Sequence, residues 1–178
     1  MKKLLVVVDM QKDFIDGSLG SIQAEKIVPW VISKIKEYKE RENYIIFTKD
    51  THEENYLSTQ EGKKLPVVHC ICGTEGWEIS EQIKSAVDLE KYPCFEKRNF
   101  GSINLSEYIS QFGVLDEIEL CGLCSDICVV SNALILKAAY PETPITVDAV
   151  CCAGVTKESH EAALLTMKMC QINVINEV

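Results

Sequence analysis

Short, continuous runs of apolar residues alternate along the chain with longer stretches of helical periodicity. The first run, Leu4 to Val8, has no polar alternation, which is typical of a strand buried on both faces. Over 24–41, apolar side chains recur at helical spacing. The same patterns predict further strands at 44–48, near Cys94, and at 118–121, 145–150 and 172–175. They predict further helices at 78–87, from Ser106, and at 126–139 and 157–169.

This alternation of strands and helices predicts an α/β fold with a parallel sheet and right-handed crossovers. No repeat, low-complexity tract or linker divides the sequence, so we expect one domain over 1–178. In such folds ligands bind beyond the carboxyl ends of the strands. Asp9, Asp50 and the segment after Cys121 follow predicted strands, and we expect these distant stretches to meet at one edge of the sheet.

Composition and charge narrow the classes of partner. The 178 residues are 47% hydrophobic and 25% charged, as in a soluble globular domain. A net charge of -9 without a basic stripe disfavours nucleic acid and anionic membranes as partners. The apolar run after Lys3 stops at Asp9, which is too short for a signal peptide, and no stretch approaches the ~20 apolar residues of a membrane span. We therefore expect a cytoplasmic protein.

Nine cysteines are many for a chain of this length. Without an export signal a reducing compartment is expected, and most of these thiols are interpreted as small buried hydrophobic side chains. Cys121 and Cys124 form a C-x-x-C motif, for which redox chemistry and metal binding are the alternatives. Both are disfavoured, because Cys121 is predicted to end a strand and no second C-x-x-C is present.

One cysteine lies where a thiol can act as a nucleophile. The segment 118–133 predicts a strand, a sharp turn at Gly122 and a helix with Cys128 in its first turn, capped by Ser125 or Asp126. The helix dipole and free backbone N–H groups would lower the thiol pKa and could hold an oxyanion. The alternative is a structural cysteine at a helix start.

Two further residues at strand ends carry charge. Asp9 follows the first predicted strand and is either a cap for the next loop or a functional acid. Lys97 follows the strand near Cys94, and by itself it is interpreted as a solvated surface cation.

A polar stretch over 49–76 is too long for a simple connector, and long loops of this kind are often functional. It contains Asp50, His52, Glu61 and His69. A carboxylate with two imidazoles is a plausible transition-metal site that keeps positions open for other ligands. The alternative is a set of unrelated loop histidines.

Taken together, these stretches resemble the isochorismatase-like cysteine hydrolase superfamily, and within it the nicotinamidases. The run from Leu4 to Phe14 is similar to the opening strand and catalytic aspartate of that family. The segment Lys97 to Ser102 matches its K-x-x-F/Y motif, and Gly122 to Val129 matches its G-V-x-T-D-x-C-V nucleophile turn. The motifs occur in the family's order over 4–154.

The resemblance implies a three-layer α/β/α fold with a parallel six-stranded sheet and a single hydrolase domain. It implies Asp9, Lys97 and Cys128 as catalytic triad, and a non-proline cis peptide between Leu123 and Cys124. The backbone N–H groups of Cys124 and Cys128 would then form the oxyanion hole. The chain departs mildly from the family at Leu123 and Cys124, where valine and a smaller residue are usual.

The resemblance also implies a divalent transition metal held by Asp50, His52 and His69, with Glu61 as a fourth ligand in some members. Zinc is the expected ion, with iron and manganese as alternatives. The pyridine nitrogen of the substrate would complete the coordination.

The implied reaction is hydrolysis of a small carboxamide through a thioester, with nicotinamide as the expected substrate. Phe14, Leu19 and Trp77 are the expected substrate contacts, although Phe14 and Trp77 are equally consistent with core packing. The expected partners are this amide and further copies of the chain in a homo-oligomer. The alternatives are a hydrolase of carbamoyl or ureido compounds and a non-catalytic ligand-binding protein on the same fold.

Overall fold

A computed structural model describes residues 2–177, one residue short of the predicted domain at each end. The strands are β1 (Lys3–Val8), β2 (Tyr44–Asp50), β3 (Cys94–Lys97), β4 (Glu117–Leu123), β5 (Ile145–Ala153) and β6 (Asn173–Ile175). The helices are α1 (Lys12–Ile15), α2 (Ile22–Glu40), α3 (Gln60–Lys64), α4 (Glu81–Ala86), α5 (Ile103–Ile109), α6 (Val130–Ala139) and α7 (Lys157–Met169). Single 3₁₀ turns lie at Tyr56–Ser58, Leu89–Lys91 and Ser110–Phe112, and a π turn lies at Ser125–Val129.

The six strands form one parallel sheet in the order β3-β2-β1-β4-β5-β6, which confirms the predicted sheet. The order reverses between β1 and β4, so a crevice opens beyond the carboxyl ends of these two strands. Gly122 lies opposite Val8 in this pair, and a Cβ at Gly122 would lie 2.1 Å from the Val8 carbonyl oxygen. Glycine is therefore required at this position near the end of β4, where the two strands approach closely.

Helices cover the sheet in two layers. The long helix α2 packs against β1, β2, β4 and β5, with α4 beside it, while α6 and α7 pack against each other and against β5. This arrangement confirms the three-layer α/β/α architecture. Within residues 2–177, no helix is both long enough and apolar enough to cross a membrane.

Serine caps explain where several helices begin. The Ser21 hydroxyl accepts a hydrogen bond from the Ala24 N–H and starts α2 two residues before the predicted position. The predicted starts of α4 and α5 were wrong by three residues, because Ser80 and Ser102 cap these helices in the same way. Propensity alone does not reveal which of several nearby serines acts as the cap.

Three other predictions are corrected by the structure. The strands β2 and β4 run on to Asp50 and Leu123, because each still pairs with its neighbours in the sheet beyond the apolar run. Cys121 therefore does not end its strand. The polar stretch 49–76 begins inside β2 and includes α3, whose first turn is capped by Thr59.

A charged cluster is buried between α2 and the sheet. The Lys34 ammonium lies 2.8 Å from Glu119 Oε1 and 2.8 Å from Asp148 Oδ2. The Tyr38 hydroxyl donates to Glu119 Oε2 at 2.6 Å. The two carboxylates are almost fully buried, and the single ammonium offsets one of their two negative charges.

Replacing Lys34 by methionine is expected to destabilise the fold by about 3–5 kcal/mol, because two buried carboxylates would lose their cation. Urea unfolding followed by circular dichroism measures this loss. Lys36→Met, on the exposed side of the same helix, is the control and should change the free energy of unfolding by less than about 0.5 kcal/mol. Equal effects of the two substitutions would show that the buried cluster contributes little.

Candidate active site

The ends of four adjacent strands supply the polar groups of the crevice. Asp9 follows β1, Asp50 ends β2, Lys97 ends β3, and the turn containing Cys124 and Cys128 follows β4. Asp50, Cys124 and Cys128 line a cavity of about 930 Å³, whereas Asp9 and Lys97 are not part of its wall. Its polar wall is formed by Asp50, His52, Glu61, His69, Cys124 and Cys128, its apolar wall includes Phe14, Leu19, Leu65, Phe100, Leu123 and Ile127, and its rim includes Gln60, Lys64, Arg98 and Asn99.

At the base of this cavity the Lys97 ammonium bridges three groups. It lies 2.5 Å from Asp9 Oδ2, 3.3 Å from Cys128 Sγ and 3.2 Å from Asp50 Oδ1. All four side chains are buried, with Lys97 only 3% exposed. The interpretation of Lys97 as a solvated surface cation is therefore wrong. The structure brings a carboxylate, an ammonium and a thiol from distant parts of the chain into direct contact.

Two residues that the sequence analysis did not single out hold these groups in place. The Thr48 hydroxyl donates to Asp9 Oδ1 at 2.6 Å. The Gln11 side chain accepts from the Asp50 N–H at 2.7 Å and donates to the Asp50 carbonyl at 2.8 Å, which clamps the backbone at the end of β2. Both are fully buried polar residues beside strand ends. Thr48 follows an apolar run, which was a signal in the sequence, whereas Gln11 lies in a polar segment and gave none.

Burial dominates the electrostatics of the thiol. It raises the pKa of Cys128 well above its usual value, and the carboxylates of Asp9 and Asp50 act in the same direction, against Lys97. Burial also raises the pKa of Asp9, although Lys97 opposes this shift. Burial would lower the pKa of Lys97, but its carboxylate neighbours outweigh this and raise it. The expectation of a lowered thiol pKa is therefore wrong for the resting site, because desolvation exceeds the attraction of one ammonium.

The turn that carries the thiol is a π turn, and its predicted caps are wrong. The carbonyl of Cys124 accepts from the N–H groups of Ile127 and Val129 at 3.1 and 3.0 Å. Neither Ser125 nor Asp126 caps the helix, because both side chains bond to the segment around the start of α7. The peptide bond between Leu123 and Cys124 is cis, as the family resemblance implied.

A second group of side chains lies beside Lys97 on the wall of the same cavity. One donor atom each from Asp50, His52, Glu61 and His69 lies within 4.8 Å of the others. His52 Nε2 is 3.1 Å from Asp50 Oδ2 and 3.6 Å from Glu61 Oε1. His69 Nε2 is 3.8 Å and 3.9 Å from the same two oxygens.

These residues fit a divalent metal ion. A tetrahedral ion with bonds of about 2.1 Å separates its ligand atoms by about 3.4 Å, which falls within the observed range. His69 Nδ1 lies 2.8 Å from the Val67 carbonyl, an arrangement that leaves Nε2 free to bind. Burial acts to raise the pKa of Asp50. Hydrogen bonds from His52 and His69 and the charge of Lys97 outweigh this and hold the pKa of Asp50 below its usual range. Asp50 would be ionised and ready to coordinate.

The three expected substrate contacts differ in their position relative to the cavity. Phe14 and Leu19 line the cavity, and the Phe14 ring centroid lies 5.6 Å from that of His69. Trp77 does not line it. Its indole N–H donates to the Thr51 hydroxyl at 2.9 Å, and Lys49 Nζ lies 3.0 Å from its ring centroid. Trp77 therefore packs behind the site, as the core alternative proposed.

The fold and this crevice define an α/β/α enzyme with its site at the switch point of a parallel sheet. The sequence profile of the Isochorismatase domain matches residues 3–177. The chain belongs to the isochorismatase family, and within it to the amidohydrolases.

Named relatives agree with this assignment. The nicotinamidase of Saccharomyces cerevisiae is 27% identical over 188 residues, which cover 82% of this chain and 86% of the relative. The crystal structure of a Bacillus subtilis nicotinamidase/pyrazinamidase has a TM-score of 0.86 at 27% identity and covers 99% of this chain and 100% of the other. The Pyrococcus horikoshii pyrazinamidase in complex with zinc has a TM-score of 0.82 at 26% identity, with coverage of 99% and 100%.

Proposed function

We propose that this chain, as one hydrolase domain over 1–178, hydrolyses nicotinamide to nicotinate and ammonia with Cys128 as nucleophile. The observation that carries the proposal is the Lys97 ammonium held between the Asp9 carboxylate and the Cys128 thiol at the base of the cavity. Similarity to nicotinamidases supports the choice of substrate. The cavity supports it too, because its apolar wall suits a flat aromatic ring.

In the first half of the reaction Asp9 takes the Cys128 proton as sulfur attacks the amide carbon. Because the thiol pKa is raised in the resting site, this transfer accompanies attack rather than preceding it. The carbonyl electrons move to oxygen, which is held by the N–H groups of Cys124 and Cys128. The C–N bond then breaks, nitrogen takes the proton from Asp9, and ammonia leaves a thioester behind.

In the second half water attacks the thioester carbon and gives a proton to Asp9. The C–S bond breaks, the acid leaves, and sulfur recovers its proton from Asp9. Lys97 remains an ammonium throughout, because the two carboxylates beside it raise its pKa, and it stabilises negative charge on sulfur and on Asp9. One amide and one water thus give one acid and one ammonia.

The metal, proposed to be zinc, would be held by Asp50, His52, His69 and Glu61. When bound, it would supply a Lewis acid, for which the ring nitrogen of a pyridine carboxamide is a suitable ligand. Phe14 beside His69 would pack against the ring. These residues orient the substrate by its ring. Only an amide whose carboxamide lies at the right distance from the ring then reaches Cys128.

The substrate assignment is tested by ammonia release from nicotinamide, benzamide and an N-carbamoyl amino acid. We expect the highest kcat/KM for nicotinamide, because benzamide lacks the ring nitrogen that the metal would bind. Release from the carbamoyl compound alone would replace nicotinamide by the ureido class. No release from any of the three would contradict the proposed hydrolase function.

Removing a metal ligand is expected to act on substrate binding. Altering the groups that support metal ligands costs about 10–100-fold in metal affinity or activity, and loss of a ligand itself should cost at least as much. His52→Ala should therefore lower bound zinc and raise the KM for nicotinamide at least about tenfold. The KM for benzamide should change much less. Glu54→Gln, an exposed acid two residues away, is the control.

Zinc content by elemental analysis and steady-state kinetics on the same preparations check this prediction. Equal KM shifts for nicotinamide and benzamide would show that the metal does not bind the ring nitrogen. Unchanged zinc content in His52→Ala would remove His52 from the ligand set.

A further inference from the structure

The beginning of α7 is tied to the turn that carries Cys128. Asp126 Oδ2 accepts from the Val155 N–H at 3.0 Å and from the Ser159 hydroxyl. Ser125 Oγ lies 2.7 Å from His160 Nδ1. Two neighbouring side chains of the π turn are thus held by a helix from the far end of the sequence.

The pair formed by Ser125 and His160 is closely fitted. Ser125 is fully buried, and its hydroxyl faces the imidazole at hydrogen-bond distance. A Cβ at Gly154 would lie 2.9 Å from His160 Cβ and 3.0 Å from Ser125 Oγ, so only glycine leaves room for this approach. Leaving a buried hydroxyl without its partner is unfavourable, so the fold favours keeping this contact.

His160 lies outside the candidate active-site cavity described above. It borders a separate cavity of about 420 Å³ whose wall includes Lys26 and Trp30, while Gly154 and Val155 border both cavities. The imidazole therefore does not face the substrate. Any influence on the reaction passes through Ser125.

Ser125 occupies a sensitive position in the turn. It lies between Cys124 and Cys128, the two residues whose backbone N–H groups are proposed to hold the oxyanion. The Cys124 carbonyl is already held by two N–H groups of the turn. The Ser125 hydroxyl adds an anchor outside the turn, which limits its rotation relative to the sheet.

We propose that His160 is a positioning residue for the reaction, acting through Ser125 to fix the turn that presents Cys128 and its oxyanion donors. The inference rests on the proposed cysteine mechanism. A displacement near 1 Å at a reacting group costs about 10²-fold, and one oxyanion donor is worth about 10²–10³-fold. Loss of the anchor relaxes the turn without removing a donor, so the expected loss does not exceed the smaller of these two factors.

The test compares variants of the full chain with nicotinamide as substrate. His160→Ala is expected to lower kcat about tenfold to a hundredfold while KM stays within about twofold, because ring binding is unaffected. His160→Asn is expected to recover most of the loss, since its amide reaches the position of Nδ1. Leu165→Ala, exposed on the same helix, is the control and should behave as the unaltered protein.

Ser125→Ala removes the other partner by deleting one oxygen atom. Its kcat should fall by a similar factor, and the double variant with His160→Ala should be no worse than either single variant. Additive losses would show that the two residues act independently and would overturn the inference. So would an unchanged kcat in His160→Ala, a loss confined to KM, or no recovery in His160→Asn.

The proposed mechanism and the positioning role of His160 can be tested separately. If Cys128→Ala retains activity, the proposed mechanism fails regardless of His160. If Cys128→Ala is inactive while His160→Ala keeps full kcat, only the positioning role is lost. Melting temperatures of all variants, measured together, identify any loss that follows from unfolding.

Discussion

Replacing Cys128 by alanine is expected to abolish ammonia release from nicotinamide, with a fall in kcat of about 10³-fold or more. The reason is that Cys128 is the proposed nucleophile, and its Sγ contacts the Lys97 ammonium at 3.3 Å. The thiol also carries the proton that Asp9 is proposed to move. A discontinuous ammonia assay with purified protein measures the loss.

The matched control is Cys170→Ser, because Cys170 is an exposed free thiol that does not line the cavity. It should retain kcat and KM. Cys128→Ser keeps the shape of the side chain and replaces its sulfur with oxygen. This variant should also be nearly inactive, since a hydroxyl is far harder to ionise than a thiol. Activity of Cys128→Ala within about tenfold of the unaltered protein would remove Cys128 from the mechanism.

Replacing Asp9 by asparagine is expected to lower kcat by about 10²–10⁴-fold, the usual contribution of a general acid–base group. Asparagine keeps the shape and can still accept from Thr48, but it cannot take the Cys128 proton. It also removes a charge from the buried Lys97, whose ammonium would keep only Asp50 as a carboxylate partner. Steady-state kcat and the melting temperature are measured on the same samples.

Asp16→Asn is the control for this substitution, because Asp16 is exposed at the end of α1. A fall in kcat with a folded Asp9→Asn protein would support the proton-transfer role. Full kcat in a folded Asp9→Asn protein would show that another group moves the proton. The expected change in KM is small, since Asp9 lies behind the thiol and is not part of the cavity wall.

The sheet and most of the site could be predicted because their signals are local. Continuous apolar runs identified the strands, and the rule that ligands bind at their carboxyl ends placed Asp9, Asp50 and the Cys128 turn at one edge. The family motifs added implied roles for Lys97 and the histidines, which the sequence had already singled out. Nearby sequence sets the position of each residue along its strand. Residues at the carboxyl ends of parallel strands lie at one edge of the sheet, so these residues converge as expected.

What could not be predicted depends on contacts between distant segments. The π turn at Ser125 follows from bonds to α7, and the raised pKa of Cys128 follows from complete burial. Gln11 and Thr48 are ordinary polar residues until the fold places them beside Asp50 and Asp9. The sequence left Trp77 open between substrate contact and core packing, because an aromatic residue near a site packs behind it as readily as within it.

The central claim is that sulfur of Cys128 becomes acylated by the substrate, and hydroxylamine trapping tests it most directly. A thioester would be intercepted by hydroxylamine to give the hydroxamate of nicotinic acid, in a proportion that rises with hydroxylamine concentration. Ammonia release would continue, and Cys128→Ala would form no hydroxamate. Nicotinate as the sole product at every hydroxylamine concentration would mean that water attacks the amide directly, and would contradict the account.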